Sequence, residues 1–286
     1  MKLESVQSSG RRRAGLANSE PTVSIVIPAK NEEKNLPHVL DKLLNSPYEI
    51  ILVDGHSSDN TVIVARHLLP GITIIDQTRR GKGNALACGF AIASGDFIVM
   101  LDADGSTDPS EIPLFISALK EGADFAKGSR FMPGAGSSDI SRIRQIGNYW
   151  LNKIVNVIYG TRYTDLCYGY NAFRRECMAV MNLDPGNFDG SDTDEMQWGD
   201  GFEVETLINV RVAKAGLRVA EVPSFEQSRR YGSSNLNAWS DGLRVLRTIH
   251  AERKRGSRRV SVAGLVDERV TATSWAGLST VAEEAG

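Results

Sequence analysis

The sequence predicts an α/β fold with a mixed, mainly parallel sheet flanked by helices. Three observations carry this. Apolar runs such as Phe97 to Leu101 are continuous rather than alternating, the pattern of strands covered on both faces. These runs alternate with single helical segments, which implies right-handed βαβ units. The first four runs each end in polar residues: Pro28 with Glu32, Asp54, the segment Gln77 to Lys82, and Asp102 with Asp104. A parallel sheet gathers these at one edge, where open α/β sheets collect ligands.

The elements follow in order. Thr22 to Pro28 is the first strand, stopped by Pro28 and Asn31, with a helix over roughly Leu36 to Asn45. Tyr48 to Val53 is the second strand, and Ser57-Ser58-Asp59 caps a helix through Leu69. Gly71 to Ile75 is the third strand; Gly81-Lys82-Gly83 opens a helix of small residues through Ala93. After the strand Phe97 to Leu101, Asp108-Pro109 caps a helix to Lys120, and Ala123 to Lys127 is the fifth strand. Pro133 to Asp139 reads as a loop. The next helix, about Ser141 to Tyr159, has Ile143, Ile146, Trp150, Ile154 and Val157 on one stripe, the pattern of an amphipathic helix. A short strand is expected at Tyr168 to Phe173, and a mobile loop with a functional task at Asp184 to Gly201. A helix from Phe202 to Ala215 closes at Gly216, a strand spans Leu217 to Phe225, and a last helix runs from Asn237 to about Arg255.

A chain of 286 residues allows one large domain, or a domain with a lobe. The expected division is a disordered leader over 1–20, a domain over 21–250 whose halves meet at 131/132, and a basic, flexible tail over 251–286. The formal net charge of −2 argues against a general nucleic-acid binder. Cys88, Cys167 and Cys177 form neither a disulfide framework nor a paired metal motif. No apolar run is long enough to span a bilayer, and no apolar segment follows Arg11-Arg12-Arg13, so no secretory signal is expected there. The expected location is the cytoplasm, with peripheral contact at the inner membrane face in view.

Asp102 and Asp104 stand one residue apart where the apolar strand ends. Their oxygens suit a hard cation, Mg²⁺ or Mn²⁺, and such a cation suits phosphate. The surrounding Gly, Ser and Pro are also ordinary turn residues. The neighbouring strand ends complete the requirements of a nucleoside diphosphate. Asp54 can accept from a base N–H or a ribose hydroxyl, and Lys82 between two glycines can neutralise pyrophosphate. A metal there offsets charge on the leaving diphosphate. For Asp59, turn and cap chemistry suffices.

The ordered set Val-Ile-Pro-Ala-Lys-Asn-Glu-Glu, Ile-Leu-Val-Asp-Gly-His-Ser-Ser-Asp-Asn-Thr, Gly-Lys-Gly-Asn-Ala-Leu, Leu-Asp-Ala-Asp-Gly-Ser and Gly128-Ser129-Arg130-Phe131 resembles the family 2 glycosyltransferases, which have the GT-A fold. Gly-Ser-Arg, Glu221-Val222-Pro223 and the segment Arg229 to Leu236 are similar to the dolichyl- or polyprenyl-phosphate sugar synthase branch. The resemblance spans about Thr22 to Leu246 and implies the following roles. Pro28, Lys30 and Glu32 line the nucleotide site, with Asp54 near the base. Asp102, Ala103 and Asp104 hold the diphosphate through a divalent metal, with Ser106 as a further metal-facing candidate. Arg130 and Arg229 reach the phosphates or the donor sugar. Asp165 corresponds to the active-site aspartate that faces the acceptor. Two positions depart from the pattern: Gly55 follows Asp54 where a second aspartate is common, and Asn235 stands where a lysine is usual.

The activity implied is inverting, metal-dependent transfer of a hexose from a UDP- or GDP-sugar, in one in-line displacement. A phosphate acceptor, polyprenyl or dolichyl phosphate, needs no strong base. A soluble hydroxyl acceptor needs a carboxylate, with Asp165 first and Asp200 and Glu203 behind it. Glu203 and Glu205 share a helix on which one is expected to be solvated. The last helix is basic, with Arg244, Arg247, Arg253, Lys254 and Arg255, followed by Arg258 and Arg259. With Leu243, Leu246 and Ile249 it is a candidate for resting on an anionic bilayer; a core-packed helix with a solvated positive face explains it equally. Two remoter readings stay open. One is a haloacid-dehalogenase-type phosphatase with Asp102 as nucleophile, which this order of strands disfavours. The other is a nucleotide-sugar-binding module without turnover. A Rossmann dehydrogenase is disfavoured by the glycine spacing.

Overall fold

A computed structural model describes residues 20–189, 195–232 and 238–255. The expected leader up to residue 19, Asn235, Arg258, Arg259 and the rest of the tail lie outside the described residues.

Apolar side chains on both faces place β1 (Val23–Ala29) inside the sheet, with Ile25 and Ile27 pointing to one layer of core and Val26 to the other. It pairs in parallel with β2 (Glu49–Asp54) and β4 (Phe97–Met100), and β2 pairs in parallel with β3 (Thr73–Asp76). Four strand ends therefore share one edge, as the sequence predicts. Beyond β4 the sheet continues through β5 (Phe125–Ser129), β7 (Asn171–Arg174) and β8 (Val219–Pro223), in the order β3-β2-β1-β4-β7-β5-β8. β7 is antiparallel to both neighbours, which makes the sheet mixed. The expected loop after Phe131 contains a two-residue strand, β6 (Gly136–Ser137), paired with β9 (Phe225–Glu226).

Helices α1 (Leu36–Leu40), α2 (Thr61–Leu68) and α4 (Ile112–Lys120) cover one face of the sheet. The expected helix to Asn45 is shorter, because its second half tightens into a 3₁₀ turn over Asp41–Leu43. Likewise Asp108 caps a 3₁₀ turn, accepting from Ser110 N at 2.9 Å, and α4 begins only at Ile112. The other face carries α3 (Lys82–Ile92), α6 (Cys177–Met181) and α7 (Val204–Ala215). α7 closes at Gly216, whose φ of +72° is the left-handed cap expected there.

A third core cluster forms where α5 (Arg142–Tyr159), α7 and α8 (Ala238–Lys254) meet around Val155, Val210, Val245 and Ile249. α5 is oriented against its apolar stripe. Ile143, Ile146, Trp150 and Val157 face solvent, while Ile154 of the stripe packs half-buried against the third cluster and Asn148 and Asn152 face inward beside Val155. The cause is the irregular segment 161–167 beneath it, whose buried backbone groups need partners. Asn152 Nδ2 donates to Thr164 O at 2.8 Å and Asn156 Nδ2 to Tyr163 O at 2.9 Å. Asn148 Oδ1 accepts from Cys167 N at 3.3 Å. Spaced four residues apart, the three asparagines lie on one side of the helix and splint that segment.

Candidate active site

β1 ends at Ala29 and β4 at Met100, and their parallel pairing brings the segments that follow them to one rim. There the chain encloses a cavity of about 890 Å³. One wall is polar: Pro28, Lys30 and Glu32 after β1, Lys82 at the start of α3, Asp102, Ala103, Asp104 and Ser106 after β4, then Arg130 and Arg229. From α5 and α8 come Ile143, Ile146, Leu151 and Val245, with the polar Arg144 and Asn148 among them.

Every carboxylate of the polar wall meets a cation. Lys82 Nζ lies 2.7 Å from Asp102 and 2.9 Å from Glu205. Burial alone would lower the Lys82 ammonium, but these two carboxylates hold it above its usual range. Arg229 Nη2 donates to Asp104 Oδ2 at 2.6 Å, while Asp104 Oδ1 accepts from Ser106 N at 2.9 Å. Arg229 also approaches Glu32 at 3.8 Å. Burial raises the Glu32 carboxyl, against the lowering effects of Asn35 and Arg229.

Asp54 is buried at the end of β2. Its Oδ2 accepts from Ser57 N at 2.9 Å, and its Oδ1 has no hydrogen-bond partner among the described residues. Asp54 is not among the residues lining the cavity; the nearby lining residues are Ala29, Lys30 and Gln77. Asp165 is fully buried behind Arg130 and does not line the cavity either. Its Oδ2 accepts from Arg130 Nε at 2.7 Å, and its Oδ1 from Arg130 Nη2 at 2.9 Å and Asn148 Nδ2 at 3.0 Å. Burial would raise this carboxyl, but the Arg130 contacts outweigh it and hold it below the usual range. Such a group is a poor proton acceptor. Asp165, the expected acceptor-facing aspartate, anchors Arg130.

Arg130 is itself engaged. Its Nη1 lies 3.0 Å from both oxygens of Glu226, and its guanidinium stacks 4.8 Å from the Tyr168 ring centre. Asp200, a reserve candidate for the base, is clamped by Arg79 at 2.9 Å and 3.2 Å. Glu203 and Glu205 are both buried, so neither is the solvated member expected of that pair. Glu203 Oε1 accepts from Gly199 N at 3.2 Å, and its Oε2 is unpartnered. The described ends of the loop 184–201 are tied down, Asp184 through its carbonyl to Arg79 at 2.9 Å and Asp200 through its side chain. Of the last helix, Leu243 and Leu246 are exposed, whereas Ile249 is buried in the third core cluster. Sequence reasoning missed Glu226; its signal was its place just after Glu221-Val222-Pro223.

Among the described residues no cluster of three or more His, Cys, Asp or Glu has metal-holding geometry. The donor set is two carboxylates, Asp102 and Asp104, beside cationic side chains. That set fits Mg²⁺ or Mn²⁺, which commonly takes one or two protein carboxylates and fills its remaining positions from substrate phosphates and water.

A mixed sheet whose fourth strand ends in paired carboxylates over a cavity lined by ion pairs defines the class of GT-A glycosyltransferases. Residues 24–182 match the family model described as Glycosyl transferase family 2, and the chain belongs to that family. It is 29% identical to the undecaprenyl-phosphate mannosyltransferase of Micrococcus luteus over 233 residues, covering 78% of this chain and 91% of that one. It is 30% identical to the dolichol-phosphate mannosyltransferase of Pyrococcus furiosus over 229 residues, covering 75% of this chain and 59% of that longer protein. Among solved structures, glucosyl-3-phosphoglycerate synthase from Mycobacterium tuberculosis, in complex with Mn²⁺, UDP and glucosyl-3-phosphoglycerate, superposes with a TM-score of 0.61. That match has 24% identity and covers 81% of this chain and 79% of that one, a likeness of fold. The protein is thus a glycosyltransferase with a GT-A fold.

Proposed function

We propose that this enzyme moves a hexose from a UDP- or GDP-sugar to a polyprenyl or dolichyl phosphate, with inversion at the anomeric carbon. The observation that carries this is the mixed lining of the cavity: paired carboxylates and cations at the strand ends, and Ile143, Ile146, Leu151 and Val245 from α5 and α8. The charged residues suit a diphosphate and the apolar ones an isoprenoid. The similarity to enzymes named for undecaprenyl and dolichol phosphate supports the same acceptor class.

An acceptor phosphate oxygen attacks C1 of the sugar, the C1–O bond to the diphosphate breaks, and the nucleoside diphosphate leaves with that electron pair. A divalent ion held by Asp102 and Asp104 would offset the charge on the leaving diphosphate. Lys82 and Arg229 add fixed positive charge on the same side. Lys30 and Glu32 border the nucleotide, and the unpartnered Asp54 oxygen is suited to a base or ribose donor beyond them. A phosphate acceptor arrives already ionised, so no residue has to remove a proton. That agrees with an Asp165 carboxylate spent on Arg130.

The test is transfer of labelled sugar to a polyprenyl phosphate and, separately, to soluble sugars. Asp102→Asn and Asp104→Asn are expected to lower transfer to the lipid by about a hundredfold or more while the unfolding midpoint stays close to wild type. Near-normal turnover by both variants in the presence of a chelator would overturn the metal-dependent reading. Label appearing only on soluble hydroxyls would replace the acceptor.

A further inference from the structure

The outward side of α5 is apolar. Ile143, Ile146, Trp150 and Val157 are 65, 60, 62 and 83% exposed, while the inward side of the same helix carries Asn148 and Asn152 together with Leu151 and Val155, and Ile154 is half-buried. Packing against the core accounts for the inward apolar residues but not for the four exposed ones. Spacings of three, four and seven residues keep the exposed side chains on one stripe, and a contiguous apolar stripe marks a surface that meets an apolar partner. The stripe begins at the active site, since Ile143 and Ile146 also line its cavity.

Charge decides the partner. α5 contains Arg142, Arg144 and Lys153 and no acidic residue, in a chain whose net charge is −2. Arg142 and Lys153 are exposed, and so are Arg253 and Lys254 at the end of the neighbouring α8. Lys153 Nζ lies 5.5 Å from the centre of the exposed Tyr149 ring, which sits edge-on to Trp150. A second copy of this chain would set the cationic rim against itself. An anionic bilayer matches both parts of the surface, acyl chains for the stripe and headgroups for the rim, and Trp and Tyr favour that boundary.

We propose that α5 is a bilayer-docking surface. It lies in the plane of an anionic membrane with Trp150 and Val157 among the upper acyl chains, and the cavity mouth opens at headgroup level. For its purpose, though not for its test, this rests on the lipid-phosphate reading above. The full-length protein is sedimented with vesicles of phosphatidylcholine alone and with 30 mol% phosphatidylglycerol, a composition of about that value chosen to give a strong negative surface. Binding is expected to the anionic vesicles, to weaken with salt, and to fall at least about tenfold in Trp150→Glu/Val157→Glu. The double variant should keep its unfolding midpoint, because both side chains are already in water.

Wild-type protein left in the supernatant, or a double variant that binds as wild type does, would overturn the proposal. So would a wild-type dimer in sedimentation velocity that the double variant dissociates, since the stripe would then belong to a second copy. Vesicle binding without transfer to lipid phosphate would leave the docking surface standing and remove the acceptor reading. Transfer to detergent-dispersed lipid phosphate without vesicle binding would do the reverse.

Discussion

The Arg130 guanidinium is gripped from two sides, by Asp165 at 2.7 Å and by Glu226 at 3.0 Å. Arg130 and Asp165 are both almost fully shielded from water. Removing one member of such a pair leaves the other charged and buried, which costs about 3–5 kcal/mol. Asp165→Asn is therefore expected to lower unfolding free energy by about that amount at pH 7, read by denaturant titration. The pH dependence has a fixed sign. The folded carboxyl of Asp165 titrates below its unfolded value, so its contribution is complete above about pH 4 and is lost as pH falls through the lower folded value. The gap between wild type and variant should thus narrow on acidification below about pH 4. A gap under about 1 kcal/mol at pH 7 would mean that Glu226 alone holds Arg130.

The start of α3, Gly81-Lys82-Gly83, fits against Gly199-Asp200 in the segment ahead of α7. Gly83 N donates to Asp200 O at 2.7 Å, and a Cβ on Gly83 would lie 1.8 Å from Gly199 O. Gly83→Ala must push the two segments apart, and Lys82, held between Asp102 and Glu205, moves with them. A loss of about 1–3 kcal/mol in stability, with reduced transfer, is expected. An unchanged unfolding midpoint would show that the 199–200 loop yields freely. The glycines were visible in the sequence as the flanks of a phosphate-facing lysine. Their steric reason was not, because the residues they touch lie more than a hundred positions away. The same limit applies elsewhere. Continuous apolar runs gave β1, β2 and β4 and the rim carrying Asp102 and Asp104. A run says nothing of strand direction, so the antiparallel β7 was not legible. Periodicity located the stripe of α5 without saying which side faces the core. Nothing in the periodicity marks Asn148, Asn152 and Asn156, whose amides bind the segment 161–167. Asp165 was found by motif, and only its partners show that it holds Arg130.

In the proposed donor site the two metal-facing carboxylates are each already held by a cation. Asp102 is matched by Lys82 at 2.7 Å and Asp104 by Arg229 at 2.6 Å. A divalent cation entering alone must compete with both side chains for the two carboxylates. A diphosphate entering alone gains Lys82 and Arg229 but faces Asp102 and Asp104 at close range. Entering together, the cation takes the carboxylates and the phosphates take the released cations, so each ligand removes the other's penalty. This is a coupling free energy between two ligands of one site, and it is reciprocal. Thermal unfolding reads it directly, because a ligand that binds only the folded chain stabilises it by about 2.7 kcal/mol at a hundred times its Kd. For a domain of this size that corresponds to a rise of roughly 5–10 °C. Mn²⁺ with UDP or GDP is expected to give that rise, each component alone much less, and a chelator should abolish the difference. The better of the two nucleotides identifies the base. Asp102→Asn should lose the joint effect while keeping the wild-type midpoint without ligand, since it removes a partner of Lys82 and leaves Glu205 in place. Equal shifts with nucleotide alone and with nucleotide plus Mn²⁺ would show that the two cationic side chains suffice for the diphosphate.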